Sequence, residues 1–410
     1  MLIINIKQLV NVRGENQLLR GNELSYLPIL EDAFLTIKDN KIEDFGLMSE
    51  LNEDDFKQDI YDAKQATVLP TWCDSHTHLV FAASRENEFI DKIKGLSYAE
   101  IAAKGGGILN SAIKLNETPE DVLLELAQIR LNELIQLGTG AIEIKSGYGL
   151  SVEGELKMLR VIQQLKNQNS IPIKATFLGA HAFPYSYKEN RTAYIDLIIH
   201  EMLPRIAAEN LADYIDVFCE HGFFSQQETE LICTAGIQYG LKSKIHANQL
   251  NISGGVQAGC NTSAISVDHL ETIGEEEIKL LSQQHSPIAT LLPGCSFFLR
   301  MQYPPARTLI QHNAAIALAS DFNPGSSPSG NMNFVVALAC IQMKILPEEA
   351  INAATINGAY AMELQNLVGS ISKGKLANLI FTKPISSISS LSYSYASNLV
   401  DKVMINGGFI

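Results

Sequence analysis

Asp74-Ser75-His76-Thr77-His78 sets two imidazoles two residues apart, and in extended chain alternate side chains share a face. Such a pair can hold one metal ion from one side; by itself it is equally the H-x-H of a surface turn. His246 and Asp321 change that balance, because each follows a predicted strand and can converge on the same ion. Three nitrogens and one carboxylate leave a position for water on Zn²⁺ or a similar ion, the open coordination that hydrolysis needs. His269, closing Val267-Asp268-His269, is a natural proton-transfer partner for that water, and Asp321 can both bind metal and shuttle a proton. After Asp321 comes Phe322-Asn323-Pro324-Gly325-Ser326-Ser327-Pro328, rich in turn formers. Asn323, the Gly325 backbone and Ser326 there can hydrogen-bond a substrate.

The elements that must position these groups are legible in the middle of the chain. Eight short apolar runs, at 66–69, 140–145, 171–177, 214–219, 243–247, 264–268, 288–292 and 315–320, alternate with amphipathic stretches. Continuous apolar strands, each followed by a helix, predict a parallel sheet buried on both faces. Eight such units predict a (β/α)₈ barrel. Of the nine histidines, His76, His78, His181, His221, His246 and His269 fall at or just past predicted strand ends, which in a barrel surround one mouth. His200, His285 and His312 fall on helical stretches. Strand-like runs near both termini predict a small β-sandwich built from the two ends. The expected division is 1–67 and 366–410 for the sandwich and 68–365 for the barrel.

Charge narrows the partners. Lys plus Arg number 31 against 45 Asp plus Glu, a formal net charge of -14, which argues against nucleic acid or an anionic membrane surface. Six scattered cysteines without a C-x-x-C predict a reduced, cytoplasmic protein. The first residues lack a signal peptide's layout, and the apolar run 334–343 is too short to span a bilayer.

The H-x-H, the strand-five histidine and the strand-eight aspartate resemble the amidohydrolase superfamily. Within it, the chain is similar to the imidazolonepropionase family. The motifs are Asp74-Ser-His-Thr-His-Leu-Val-Phe81 with Arg85-x-x-Glu88-Phe89, Gly105-Gly-Gly-Ile108, Glu143-Ile-Lys-Ser-Gly-Tyr-Gly149, Phe177-Leu-Gly-Ala-His181, Lys244-Ile-His-Ala-Asn-Gln249, Asp268-His-Leu-Glu271 and Ser320-Asp-Phe-Asn-Pro-Gly-Ser-Ser-Pro328. The resemblance implies one divalent metal ion per chain, Zn²⁺ or Fe²⁺, held by His76, His78, His246 and Asp321. It implies substrate contacts from Arg85, Tyr148, His181, Gln249, Asn323, Gly325 and Ser326, and a homodimer. The implied reaction is hydrolysis of a small molecule, 4-imidazolone-5-propanoate, to N-formimidoyl-L-glutamate. The residues suit it: Arg85 offers a planar fork to a carboxylate, and His181 is expected to donate to the ring carbonyl or its oxyanion.

Two positions depart from relatives. Gln249 stands where some carry a glutamate assigned to proton transfer, so that role is expected of His269 with Asp321. Asn248 stands where an acidic residue is expected. A mononuclear deaminase of a heterocyclic amine shares the metal set but typically needs a carboxylate at position 249. A binuclear enzyme needs a modified lysine after strand four, where Cys219-Glu220-His221 offers none. An inert scaffold would lack ligands, and all four are present. Gly105-Gly106-Gly107 lacks the Lys-Ser/Thr ending of a phosphate loop and is expected to form a lid over the mouth.

Overall fold

Two sheets divide the chain, each following its own apolar pattern. The computed structural model describes residues 1–96, 100, 104 and 106–410. The first stretch forms β1 (Leu2–Val10), β2 (Ile29–Lys38), β3 (Lys41–Leu47), β4 (Ile60–Asp62) and β5 (Thr67–Pro70). β14 (Leu379–Thr382), β15 (Val400–Ile405) and β16 (Gly408–Phe409) join them from the other end. The order is β16-β15-β14-β5-β1-β2-β3, with β4 along β1. Ile3, Leu9, Leu35, Val68, Leu379 and Phe381 belong to a separate apolar core on this sheet.

Residues 66–69 were expected to open the barrel, and the structure corrects this. β5 pairs with β1 and β14 in the terminal sheet. The crossing point is Thr71, whose amide bonds Asn378 O, whereas the next amide, Trp72, bonds Gly138 O at the barrel. Two adjoining apolar runs look alike in sequence; only their hydrogen-bond partners separate them. The first barrel strand is β6 (Trp72–Thr77), so His76 lies inside it rather than past its end.

The barrel continues through β7 (Thr139–Lys145), β8 (Ile173–Ala180), β9 (Tyr214–Cys219), β10 (Lys242–Ala247), β11 (Ser266–His269), β12 (Ile288–Leu291) and β13 (Ile316–Leu318), consecutive and parallel. Helices such as Glu120–Gln136 and Val152–Gln168 cover the outside, which is why alternate residues of these strands (Ile142, Ile144, Ile215, Val217, Ile245, Val267) are apolar and buried, whereas several of the residues between them are charged. The seam between first and last strands is closed just beyond β13. Asp321 N donates to His76 O (3.0 Å) and His78 N to Phe322 O (2.8 Å). Asp74 accepts from Ser320 N (2.9 Å) and Ser320 Oγ (2.6 Å). Burial lifts this carboxyl to about 7, with the Ser320 bonds pulling the other way. The architecture is the (β/α)₈ barrel with a small β domain from both termini. Residues 334–343 lie in the helix Met332–Met343, which starts on an Asn331 side-chain cap. Among the described residues no helix is long and apolar enough to cross a membrane.

Candidate active site

At the C-terminal ends of the strands lies a cavity of about 490 Å³, lined in part by His78, Arg85, Tyr148, His181, His246, Gln249, His269, Asp321, Asn323, Gly325 and Ser326. His76 completes the cluster from below, within β6. His76 Nε2 and His78 Nε2 lie 3.5 and 3.6 Å from Asp321 Oδ1, and His246 Nε2 lies 3.4 Å from His78 Nε2. Ligand atoms about 2.1 Å from one tetrahedral ion would be about 3.4 Å apart, so these separations fit a single divalent ion. The fit has a second support: His76 Nε2 is buried and has no hydrogen-bond partner. Burial, reinforced by Lys145 and the neighbouring histidines, holds His76 and His78 well below the usual histidine range. Both rings are therefore neutral, with lone pairs available to a cation.

Carboxylates inside the barrel aim these rings. Asp268 Oδ2 lies 2.6 Å from His76 Nδ1, which fixes the tautomer and leaves Nε2 for the ion. Asp216 Oδ2 lies 3.0 Å from His246 Nδ1, off the line of a good hydrogen bond, and Asp216 Oδ1 accepts the His246 amide at 3.1 Å. Lys145 joins the two supports. Its ammonium meets Asp216 at 2.7 Å, Glu143 at 2.6 Å and Asp268 at 3.5 Å, and Lys244 also pairs with Glu143. Burial would favour neutral Lys145, yet the three carboxylates outweigh it and raise its pKa. For Asp216 burial acts upward, and His246 with Lys145 overcomes it, leaving the carboxyl well below its usual range.

Backbone strain marks the strand ends. Asn248, His269 and Asp321 have φ of 55, 86 and 54°, the left-handed region that non-glycine residues seldom occupy. His269 Nδ1 turns to Glu271 Oε2 at 3.5 Å, and Glu271 Oε1 accepts from Ser296 Oγ. Burial would lower the His269 pKa, but Glu271, Asp321 and Asp268 together raise it.

Residues 67–410 match the Amidohydrolase family. The imidazolonepropionase of Flavobacterium johnsoniae is 59% identical over 412 residues, covering 100% of this chain and 99% of that protein. That of Shewanella frigidimarina is 44% identical over 381 residues, covering 92% of each. The chain belongs to the imidazolonepropionase family of amidohydrolases. Among solved structures, 5-methylcytosine deaminase from Klebsiella pneumoniae superposes with a TM-score of 0.74 over 100% of this chain and 98% of that one. At 14% identity it shares the fold alone.

Like its imidazolonepropionase relatives, then, this chain is a hydrolase of carbon–nitrogen bonds, and its site can be compared with the sequence reading. The residues expected to hold metal or substrate lie together at this cavity, and the structure changes the expected contacts of two of them. His181 Nδ1 lies 3.1 Å from Gly147 O, and a carbonyl only accepts, so Nδ1 carries the proton. Burial and His246 hold this ring near a pKa of about 3, hence neutral. Its remaining Nε2 is an acceptor, which corrects the expected donor. Asn323 spends its amide on its own loop: Oδ1 accepts from Gly325 N and Ser326 N (2.8 Å each), and Nδ2 donates to Asp321 O and Ser326 Oγ (2.7 Å each).

His221, expected at the mouth, is exposed on a separate surface pocket. Glu220 beside it binds the amides of His221, Leu250 and Asn251 and so anchors two loops. His285 and His312 occupy turns rather than helices. Gln249 Nε2 donates to Cys295 Sγ at 3.3 Å, and Asn248 accepts weakly from Ser253. Arg85 lines the cavity and also grips Glu88. The expected lid includes Gly105, which lies outside the described residues; Gly107 N donates to Glu88 Oε1. Sequence reading missed Lys92, Phe218, Phe223, Leu250 and Leu299 in the cavity wall. It also missed Asp216 and Asp268, although a lone aspartate within an apolar strand was a usable signal.

Proposed function

We propose that this chain opens the ring of 4-imidazolone-5-propanoate by hydrolysis of a cyclic amide C–N bond, giving N-formimidoyl-L-glutamate. The observation that carries the reading is one cavity with a neutral-histidine ligand cluster at its floor and an arginine fork in its wall. His76, His78, His246 and Asp321 would hold one divalent ion, Zn²⁺ or Fe²⁺, both suited to a nitrogen-rich set. Such an ion acidifies water and polarises a carbonyl at neutral pH.

The chain's own groups do the rest. Arg85 offers Nη1 to the propanoate carboxylate, its other nitrogens being held by Glu88. His181 Nε2 accepts a ring N–H, while Tyr148, Gln249, Gly325 and Ser326 fix the ring over the floor. Asn323 shapes the loop that presents Gly325 and Ser326. His269, with Nδ1 toward Glu271, takes the water's proton on Nε2 and returns it to the leaving ring nitrogen. Glu271 and Asp321 stabilise the imidazolium in between. An amide at Gln249 cannot perform the protonation expected of a heterocycle deaminase. Six free cysteines are consistent with a reducing cytoplasm, and the resemblance implies a homodimer.

The test uses freshly generated substrate and metal-assayed protein. Loss of the ring's ultraviolet absorbance with a product heavier by one water, both absent in His246→Ala, is the expected result. A protein holding one ion per chain with no turnover would overturn the reading.

A further inference from the structure

Lys92 stands in the cavity wall with Arg85: Arg85 precedes the helix Glu86–Ile93 as its N-cap residue, and Lys92 lies in the last turn of that helix. Its Nζ donates to Gly325 O at 3.3 Å. The same glycine packs against Arg85 Nη1, which a Cβ at position 325 would overlap. Two cations therefore converge on one glycine at the mouth.

The charge balance there is uneven. Arg85 directs Nε (2.9 Å) and Nη2 (2.5 Å) to Glu88, so that pair is close to neutral. Among the described residues, no carboxylate lies within ion-pair distance of Lys92. Its ammonium is half-buried and repelled by Arg85, and its nearest opposing charge, Glu88, attracts it only from beyond ion-pair distance while already engaged by Arg85. Burial and Arg85 together pull its pKa below a lysine's usual value. An anion bound between the two cations relieves both penalties.

We propose that Lys92 is the second arm of an anion clamp: it shares the substrate's carboxylate with Arg85 and supplies the net positive charge that selects an acidic ligand. The identity of that ligand rests on the reaction proposed above; the clamp itself does not.

The experiment compares wild type, Lys92→Met and Lys92→Arg, all metal-loaded, in steady-state kinetics and in calorimetric titrations with two probes. 3-(Imidazol-4-yl)propanoate and 4-methylimidazole share a ring and differ in the carboxylate. Loss of one charge-assisted contact predicts a KM raised about tenfold in Lys92→Met, with kcat changed less than about twofold. The anionic probe weakens by the same factor, the neutral probe is unaffected, and Lys92→Arg recovers most of the loss. Equal weakening of both probes, or a lower kcat at unchanged KM, is what a displaced helix would produce and overturns the proposal. Wild type that binds the anionic probe through Lys92 yet leaves the imidazolone intact sinks the reaction and keeps the clamp. Turnover without discrimination between the probes does the reverse.

Discussion

The core of the terminal sheet and the interior of the barrel are equally dry but differently filled. Ile3, Leu9, Leu35, Val68, Leu379 and Phe381 pack the former, where apolar groups of similar volume can replace one another at small cost. Lys145, Lys244, Glu143, Asp216 and Asp268 occupy the latter, each at most 1% exposed. Buried ions contribute little net stability, because desolvation cancels most of their attraction. Their return here is orientation: every carboxylate that aims a histidine of the ligand cluster is itself held by Lys145. One region keeps the chain folded, and the other keeps the site aimed.

The sharpest way to break this contrast is to injure both cores equally. Lys145→Met strands buried carboxylates and is expected to cost about 3–5 kcal/mol. Leu35→Ala in the terminal sheet is expected to cost about 2–5 kcal/mol. Chemical denaturation should find the two comparably destabilised, whereas chelator competition on the folded fraction should show weaker metal binding in Lys145→Met alone. Equal metal affinity in the two variants would refute the division of labour.

A milder change separates orientation from folding. Asp216→Asn and Asp268→Asn keep shape but remove the charge behind His246 and His76. Metal affinity should fall about 10–100-fold, the usual effect of losing such a support, as read by competition with a chromogenic chelator. Unchanged affinity would mean the histidines are held by packing.

The smallest effect is in pH. His76, His78 and His181 have folded pKa values below the unfolded value of about 6.5. On acidification the unfolded chain takes up protons that the folded one refuses, so stability falls with pH. From pH 7.5 to 6.5 each costs metal-free protein about 0.4 kcal/mol. His269, raised in the fold, opposes them, so His269→Gln should steepen the decline in melting temperature. A flat profile in that variant would show that the depressed histidines are already solvated in metal-free protein.

How much of this was legible in the chain follows the same divide. His76, His78, His246 and Asp321 could be found because strand ends announce themselves by apolar runs, and a barrel brings every such end to one rim. The run 66–69 was misplaced because an apolar run does not say which of two sheets will accept its hydrogen bonds. Lys145 and Asp216 could each be seen as polar residues within buried strands. That they meet could not, since strands 71 residues apart set the pairing. Lys92 was invisible because a lysine on an exposed-looking helix declares nothing until the Gly325 loop arrives beside it. The His181 tautomer likewise depends on one carbonyl, Gly147 O.

The seam of the barrel carries a consequence for biosynthesis. Asp74 and Ser320, which lock first strand to last, are 246 residues apart, and the ligand cluster straddles the same seam. A ribosome must therefore release Asp321 before the four-residue set can exist, long after His76 and His78 have emerged. Half-made chains present at most an incomplete set to passing ions, so the complete grip on metal arises at ring closure rather than before it.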